Sequence, residues 1–354
     1  MNKVIIIPRN LVYGQQANFL IKKKMALPLS INMGFLNFEI EPNYKTLKTN
    51  QILYSVQNKK KWINPYINEK QILEILNKFS YKPKSFMGLK ANNTQLMGIL
   101  NITPDSFSDG QKETLTTNEA VRKAIKMYEE GANIIDIGGE SSRPRAKKLH
   151  PREEQKRIIP VIKELSKYNI PISCDTRNSS TMQAAIDVGA TIINDISALS
   201  DKKAPHIIAK NKVGLILMHL QGSPENMQEK PKYNNVSYEI LNFLNEKKQY
   251  AIQNGIKDKN ILIDPGIGFG KTDSHNLKIF RDLPAFHYLQ SNILIGASRK
   301  SMIGRITNTK VSERLPGSIS LAIASIDKGV KFIRAHDIKE TKQALTIWNK
   351  INYN

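Results

Sequence analysis

The sequence of 354 residues contains a single cysteine, Cys174, and no long apolar run. One cysteine cannot form an internal disulfide, so nothing indicates an oxidising compartment. A helix that crosses a membrane needs roughly 18 or more apolar residues in succession, and no stretch approaches that length. The N-terminus also lacks the apolar core and the cleavage site of a secretory signal. We therefore expect a cytoplasmic location and no membrane partner.

Acidic residues are absent from residues 1–38. Residues 1–92 hold 15 Lys and Arg against 4 Asp and Glu, a net +11 that is half of the formal charge of +22. Such a surplus can attract nucleic acid. The lysine runs at 22–24 and 59–61 nevertheless fit solvated faces better than a nucleic-acid groove. We expect no nucleic-acid partner and interpret 1–92 as a small basic N-terminal region.

From about Gln95 onward, short β-rich apolar runs alternate with segments of helical period. This alternation is typical of repeated βα units and a parallel sheet. The predicted strands are 95–101, 133–138, 170–175, 191–196, 213–218, 260–264, 292–297 and 331–334. Eight units in roughly 260 residues predict an α/β fold, a (β/α)₈ TIM barrel over 93–354, rather than an open doubly wound sheet.

Other elements follow from local patterns. Helical periodicity predicts a helix over 117–130 with a buried stripe of Val121, Ala124, Ile125 and Tyr128. In the N-terminal region we predict only a helix over 69–79 and a strand over 4–7. This region is either a small domain or an extension, and its sequence shows no repeat and no known chemical motif.

Nearly every predicted strand ends in polar or charged residues. They are Asn101, Asp136, Asp175, Asn194, His219, Asp264, Ser298 with Arg299 and Lys300, and Arg334 with His336. Barrel enzymes place their chemistry at the C-terminal ends of the strands. We therefore expect these side chains to meet at one rim.

Three of these residues, Asp175, Asn194 and Asp264, close inner strands where an unpaired carboxylate is costly to bury. Taken alone, Asp175 is equally well explained as a cap of the following helix. Together, two carboxylates and an amide facing an apolar pocket match a planar heterocycle with several N–H donors, such as a pterin. The glycines of 264–271 lack the spacing of a nucleotide loop, and we predict that they expose Phe269 to a flat ligand, with Lys271 nearby.

The last two strands predict an anion site. Arg299, Lys300, Arg334 and His336 supply donors for a diphosphate, at the position where TIM barrels frequently bind one. Other groups fit the same ligand. The guanidinium of Arg143 suits phosphate or carboxylate, and the oxygen-rich loop that begins at Asn101 suits a hard cation such as Mg²⁺. For His219, His275 and Cys174 we expect structural roles.

Seven strings, all in family order, resemble the dihydropteroate synthase family over about residues 93–350. They are LMGILNITPDSFSDG, GANIIDIGGESSRP, DVGATIINDIS, LMHLQGSPENMQ, DPGIGFGKTDSHNL, GASRKSMIG and RAHDIKET. The resemblance implies a transferase of folate biosynthesis and a sulfonamide target. Such an enzyme condenses 6-hydroxymethyl-7,8-dihydropterin diphosphate with p-aminobenzoate to give dihydropteroate and diphosphate.

The resemblance also implies roles for individual residues. The pterin would be held by Asp175, Asn194, Met218, Asp264, Phe269 and Lys300. The p-aminobenzoate and the diphosphate would be held by Phe107, Ser142, Arg143, Pro144, Ser298, Arg334 and His336. The catalytic residues would be Asp109, which stabilises a pterin cation, with Lys300, Arg334 and His336. Asn101 would bind the cofactor Mg²⁺, and we expect a homodimer.

Two departures and two alternatives remain. The family usually has Thr at the position of Ser142 and Gly at that of Arg145. One alternative is a methyltetrahydrofolate-dependent methyltransferase, against which the diphosphate motifs argue. The other is a non-catalytic protein that binds pterin or nucleic acid. The N-terminal region could serve dimerisation or docking, and it has neither the length nor the motifs of a fused folate-pathway kinase.

Overall fold

The computed structural model describes residues 3–43, 52–90, 92–103, 115–141, 143, 146 and 148–353. Eight parallel strands, paired in chain order, close into a barrel when the last strand pairs with the first. They are β5 (Gln95–Asn101), β6 (Ile134–Gly138), β7 (Ile172–Asp175), β8 (Ile192–Asp195), β9 (Gly214–Met218), β10 (Ile261–Asp264), β11 (Asn292–Gly296) and β12 (Phe332–Ala335). The predicted (β/α)₈ barrel and all eight predicted strands are confirmed.

Helices cover the outside of the barrel. They are α3 (Thr117–Glu129), α4 (Pro151–Leu165), α5 (Ser179–Asp187), α6 (Ala204–Asn211), α7 (Val236–Gln253), α8 (Asp273–Asp282), α9 (Ser301–Thr307), α10 (Leu315–Ile326) and α11 (Ile338–Tyr353). In the described part of the chain, no helix is both long and apolar enough to span a bilayer.

The predicted stripe of α3 is partly wrong. Tyr128 is 43% exposed, whereas Met127 is buried together with Val121 and Ala124. Gly98 on β5 explains the rotation, because a Cβ atom there would lie 3.1 Å from the sulfur of Met127. The missing side chain therefore leaves room for Met127, and the helix turns that residue toward the strand.

The N-terminal end of the barrel is filled by a residue that precedes it. Phe86 lies in a buried cluster with inward-facing residues near the starts of the strands, and its ring meets that of Phe332 edge-on at 5.6 Å. Backbone hydrogen bonds between Phe86 and Leu89 form a short turn that presents the ring. A Cβ atom at position 214 would lie 2.7 Å from Phe86, so Gly214 is needed for this close packing.

Residues before the barrel form an antiparallel sheet, in which β3 pairs with the other three strands. The strands are β1 (Val4–Tyr13), β2 (Leu27–Ser30), β3 (Met33–Pro42) and β4 (Leu53–Ser55), and the helices are α1 (Gly14–Lys22) and α2 (Glu69–Phe79). The predicted helix is confirmed as α2, which Asn68 caps together with Gln71. The predicted strand over 4–7 is confirmed as the start of β1.

Strand β1 is buried on both faces. Val4 and Ile6 pack in the core beneath the antiparallel sheet, while Ile5 and Ile7 belong to the main core of the barrel. A strand covered on both sides has a continuous apolar run instead of an alternating pattern, as this segment does. The N-terminal region therefore shares a core with the barrel.

Ion pairs reinforce this contact. Asp282 at the end of α8 is only 1% exposed, and it accepts hydrogen bonds from Arg9 at 3.0 Å and from Lys278 at 2.8 Å. Arg9 also binds Glu39, and Lys278 binds Glu41, both on β3. A buried carboxylate is tolerated when charge and hydrogen bonds compensate it, as they do here.

Candidate functional site

The C-terminal ends of the strands surround one cleft of about 560 Å³. The predicted site residues that line it are Asn101, Arg143, Phe269, Ser298, Lys300, Arg334 and His336. Asp175, Asn194, Met218 and Asp264 lie on the neighbouring strand ends, where Arg334 and Phe269 contact members of this group. The remaining predicted site residues, Phe107, Asp109, Ser142 and Pro144, lie outside the described residues, as does Arg145.

Arg334 connects three strands across the barrel. From β12, its Nε donates to Oδ2 of Asp136 on β6 at 2.6 Å, and its terminal nitrogen donates to Oδ2 of Asp175 on β7 at 2.9 Å. Asn194 on β8 donates to the same Asp136 oxygen at 3.0 Å. Asp136 is fully buried, and its second oxygen, Oδ1, has no hydrogen-bond partner among the residues that the structure describes.

Sequence reasoning placed Asp136 at the rim but did not assign it to the site. It orients both Arg334 and Asn194, and it leaves one buried acceptor open. The signal was present in the sequence, because Asp136 belongs to the group of polar residues at strand ends. Asp175, in contrast, does not cap the next helix: Asn178 precedes α5, and Asp201 accepts from the N–H of Ser179.

Burial shifts the pKa values of the acids. It raises the pKa of Asp175 to about 7, with Asp136 adding repulsion and Arg334 opposing the shift. It raises the pKa of Asp264 to about 6, while a hydrogen bond from the N–H of Gly266 and the charge of Lys300 oppose the shift. These two carboxylates can therefore change protonation state near neutral pH when a ligand arrives.

The basic groups are shifted by the same cause. Burial and, to a smaller extent, the neighbouring charge of Arg334 together lower the pKa of Lys300 to about 8. Burial and Arg334 lower the pKa of His336 to about 3, so this imidazole is neutral at pH 7. Its Nδ1 lies 3.0 Å from the hydroxyl of Ser298, which fixes the ring.

An apolar wall stands beside the acids. Phe269 packs with Met218, Met227 and Ile196, and the ammonium group of Lys300 lies 4.0 Å from the centre of the Phe269 ring. The loop over residues 264–271, here called the glycine loop, brings Phe269 to this wall. Its close approach to β9 requires glycine, because a Cβ atom at Gly266 would lie 2.0 Å from the carbonyl oxygen of His219. The wall is suited to a flat ring.

Lys271 does not line the cleft, although it lies close enough to Asp264 and Lys300 for their charges to interact with its own. It is 1% exposed, and its Nζ donates to the carbonyl of Phe269 at 2.8 Å and lies 3.0 Å from Nδ1 of His219. Burial lowers the pKa of Lys271 to about 7 and keeps His219 neutral. These contacts hold the glycine loop, which confirms the structural role predicted for His219. His275 likewise caps α8, and Cys174 is buried in the core.

The cleft is strongly cationic. None of its described lining residues is acidic. Six of them are basic: Lys123, Arg143, Arg299, Lys300, Arg314 and Arg334. Lys123 and Arg314 were not anticipated, because they lie away from the strand ends. Arg299 is a weaker anion donor than expected, because its Nε donates to Asp337 at 3.0 Å and that carboxylate offsets its charge. The remaining excess favours a ligand that carries several negative charges.

Comparison with known proteins agrees with this geometry. A family model described as pterin binding enzyme matches residues 97–336. Dihydropteroate synthase from Escherichia coli K12 is 42% identical over 260 residues, which cover 73% of this chain and 92% of the relative. The Neisseria meningitidis serogroup C enzyme is 42% identical over 264 residues, covering 73% and 93%.

Solved structures lead to the same family. Yersinia pestis dihydropteroate synthase, in complex with a sulfonamide drug, has a TM-score of 0.72 at 38% identity and covers 74% of this chain and 96% of that one. The Xanthomonas albilineans enzyme with 4-aminobenzoic acid has a TM-score of 0.70 at 38% identity, covering 74% and 94%. Another structure of that enzyme contains 7,8-dihydropteroate, with a TM-score of 0.67 at 37% identity, covering 74% and 95%.

The barrel, the rim of acids and the matched residues define a pterin-binding enzyme. Within that class, the chain belongs to the dihydropteroate synthase family. The methyltransferase and non-catalytic alternatives are thereby set aside.

Proposed function

We propose that the two sides of this cleft bind the two ends of 6-hydroxymethyl-7,8-dihydropterin diphosphate, and that p-aminobenzoate binds beside it. The observation that carries the proposal is the contact between Arg334 and Asp175, which joins the acidic and the basic side at one point. The carboxylates would accept hydrogen bonds from the pterin ring, and the basic side chains would bind the diphosphate.

On the pterin side, Asp175, Asp264 and Asn194 would bind the ring edge, together with the open oxygen of Asp136. The faces of the ring would pack between Met218 and Phe269, with the ammonium of Lys300 at the same wall. Burial supports this assignment. It raises the pKa of a carboxyl group by destabilising the charged form, and hydrogen bonds donated by a ligand stabilise that charged form again.

On the diphosphate side, Arg143, Arg334 and His336 would surround the leaving group. Because His336 is neutral at pH 7, it would donate a hydrogen bond from Nε2 and would not act as a strong acid. The bond between the pterin methylene carbon and the diphosphate oxygen breaks, the p-aminobenzoate nitrogen forms the new C–N bond, and that nitrogen releases its proton to water. Fixed charges on each side of the carbon lower the barrier of such a charge-separating step.

The p-aminobenzoate would lie against Ser298 together with Phe107, Ser142 and Pro144. The carboxylate of Asp109, the proposed catalytic residue of the first loop, would stabilise the cationic pterin after the diphosphate leaves. The assignments of Phe107, Ser142, Pro144 and Asp109 rest on the family resemblance. Substituting Ser142 for the usual Thr keeps a hydroxyl but removes a methyl group, so we propose that sulfonamide affinity differs from that of relatives with Thr.

Mg²⁺ is the proposed cofactor. Among the described residues, no group of three or more His, Cys, Asp or Glu side chains forms a metal site. Asn101 lines the cleft, and its amide oxygen suits an ion that would be bound mainly by the phosphate oxygens of the substrate, as Mg²⁺ commonly is. When bound, the ion would neutralise charge on the departing diphosphate. Accordingly, Mg²⁺ should tighten diphosphate binding in the wild type and not in Asn101→Ala.

We also propose a homodimer. Helix α11 carries Ile347 and Ile351 one turn apart, 58% and 74% exposed, and the adjacent α10 carries half-buried Leu315 and Ile319. An exposed apolar patch of this kind favours a second copy. Sedimentation velocity should show a dimer that Ile351→Glu dissociates, while Ile63→Glu, at an equally exposed site in the N-terminal region, should not. A monomeric wild type would contradict the proposal.

A cytoplasmic location is proposed as well, in keeping with the one cysteine, which is buried. Cell fractionation tests it. The activity itself is tested by incubating the full chain with the pterin diphosphate, p-aminobenzoate and Mg²⁺, and by measuring dihydropteroate and released diphosphate in equal amounts. Failure to form dihydropteroate would contradict the proposed reaction.

A further inference from the structure

Glu140 and Arg177 form a two-point ion pair between the loops that follow β6 and β7. Nε of Arg177 donates to Oε2 of Glu140 at 3.0 Å, and a terminal nitrogen donates to Oε1 at 2.8 Å. The side chain of Arg177 is only 16% exposed and that of Glu140 only 10%. A paired contact of this geometry fixes orientation as well as distance, and partial burial limits its screening by salt.

The same carboxylate also joins the two ends of one loop. Oε1 of Glu140 accepts a hydrogen bond from the N–H of Leu149 at 2.8 Å. From α4, Arg157 donates to the carbonyl of Gly139 at 2.9 Å, next to the start of the loop. Glu140 and Leu149, which lie on either side of Arg143 in the chain, are therefore held together.

Arg143 lies within this segment and lines the cleft. Its carbonyl accepts from the N–H of Ala146 at 3.1 Å, and its own N–H donates to the hydroxyl of Ser141 at 3.5 Å. Arg177 lies two residues after Asp175. The ion pair thus connects the loop that carries a proposed diphosphate ligand to the strand end that carries a proposed pterin ligand.

We propose that Glu140 and Arg177 are positioning residues, which hold Arg143 at the diphosphate end of the cleft and fix its distance from Asp175. This inference rests on the proposed function, in which Arg143 binds diphosphate. Neither residue needs to touch the substrate. Their effect follows from preorganisation, because a cation held in place binds an anion without first losing its freedom of motion.

A second cleft allows a different role for Arg177. It has a volume of about 470 Å³ and is lined by Arg177 together with Lys148 and Lys247. If Arg177 bound an anion there, Glu140 would compete with that anion. Removing Glu140 would then strengthen anion binding, whereas loss of a positioning pair would weaken it.

The test measures two ligands by isothermal titration calorimetry in the presence of Mg²⁺. Inorganic diphosphate probes the anion end, and 6-hydroxymethylpterin, which has no phosphate, probes the ring end. In Glu140→Gln and in Arg177→Met, the dissociation constant for diphosphate should rise roughly tenfold, with that for the pterin unchanged. The exchange Glu140→Arg with Arg177→Glu should recover part of the loss, since it restores the pair but not the bond to Leu149.

Two control variants separate the possible failures. Arg305→Met removes a similar two-point pair with Asp273 outside the cleft and should change neither constant. If Arg143→Met does not weaken diphosphate binding, the assignment of Arg143 under the proposed function is wrong. If Arg143→Met weakens it while Glu140→Gln and Arg177→Met do not, the positioning role is wrong. Tighter diphosphate binding in Glu140→Gln, or equal loss of both ligands in the two variants, would also overturn it.

Discussion

Arg334 and Asp136 contact each other across the barrel, with the Nε of the arginine 2.6 Å from Oδ2 of the carboxylate. Arg334 lies on β12, the last strand of the barrel, and Asp136 lies on β6. Asp136 is fully buried, so the guanidinium compensates a charge that would otherwise be costly. In return, the carboxylate fixes the direction of Arg334, which then reaches both Asp175 and the cleft.

Asp136→Asn should lower kcat/KM roughly 10- to 100-fold, because the variant loses the charge that orients Arg334 and Asn194. Steady-state kinetics with both substrates would measure the effect. Asp187→Asn, at the exposed end of α5, is the control and should leave the rate unchanged. Normal kinetics for Asp136→Asn would show that Arg334 does not depend on this partner.

Asp175→Asn should abolish measurable turnover. The amide cannot provide the second charged acceptor that Arg334 and the pterin require, and the change leaves the guanidinium with one carboxylate. Circular dichroism would verify that the variant is folded before its rate is measured. A rate close to that of the wild type would refute the assignment of Asp175 to the pterin pocket.

The pKa of Asp264 predicts a pH dependence of stability. Its folded pKa is raised from 3.8 to about 6 by burial, so the native state binds a proton more tightly than the unfolded chain does. The resulting stabilisation is complete below about pH 4 and is lost as the pH rises through 6. Urea unfolding should therefore show the wild type losing stability relative to Asp264→Asn between pH 4 and 6. A difference that stays constant over this range would contradict the shift.

The N-terminal region should be required for folding. Deleting residues 1–90 removes Phe86 from the barrel interior and uncovers the surface that β1 buries, so we expect an insoluble or inactive product. Phe86→Ala should lower the free energy of unfolding by about 3–5 kcal/mol. Phe19→Ala, at a side chain that is 58% exposed, should change it by less than about 0.5 kcal/mol. A truncated chain with normal activity would show that the region is an accessory.

Much of this architecture was predictable because it depends on local patterns. Each buried strand is a short apolar run, and Gly131, Gly189, Gly255 and Gly329 adopt the positive-φ backbone that commonly ends a helix. The polar residues at strand ends predicted the rim for the same reason, since parallel strands all end at one face. These features can be predicted from the order of residues along the chain alone.

The features that sequence reasoning missed depend on contacts between distant segments. The second face of β1 is covered by α7 and by residues 283–289, which lie more than 200 residues later in the chain. Lys271 follows a loop at the rim, yet it turns inward because the carbonyl of Phe269 and the ring of His219 accept its hydrogen bonds. Asp136 looks like any other polar residue at a strand end until β12 places Arg334 opposite it.

The most direct test of the central claim is a crystal structure of the full chain with bound 6-hydroxymethylpterin diphosphate and Mg²⁺. The account predicts one molecule in the cleft, with its ring edge on Asp175 and Asp264 and its phosphates on Arg334 and His336. A pterin ring that contacts neither carboxylate, or phosphates bound at a site separate from Arg334, would contradict it.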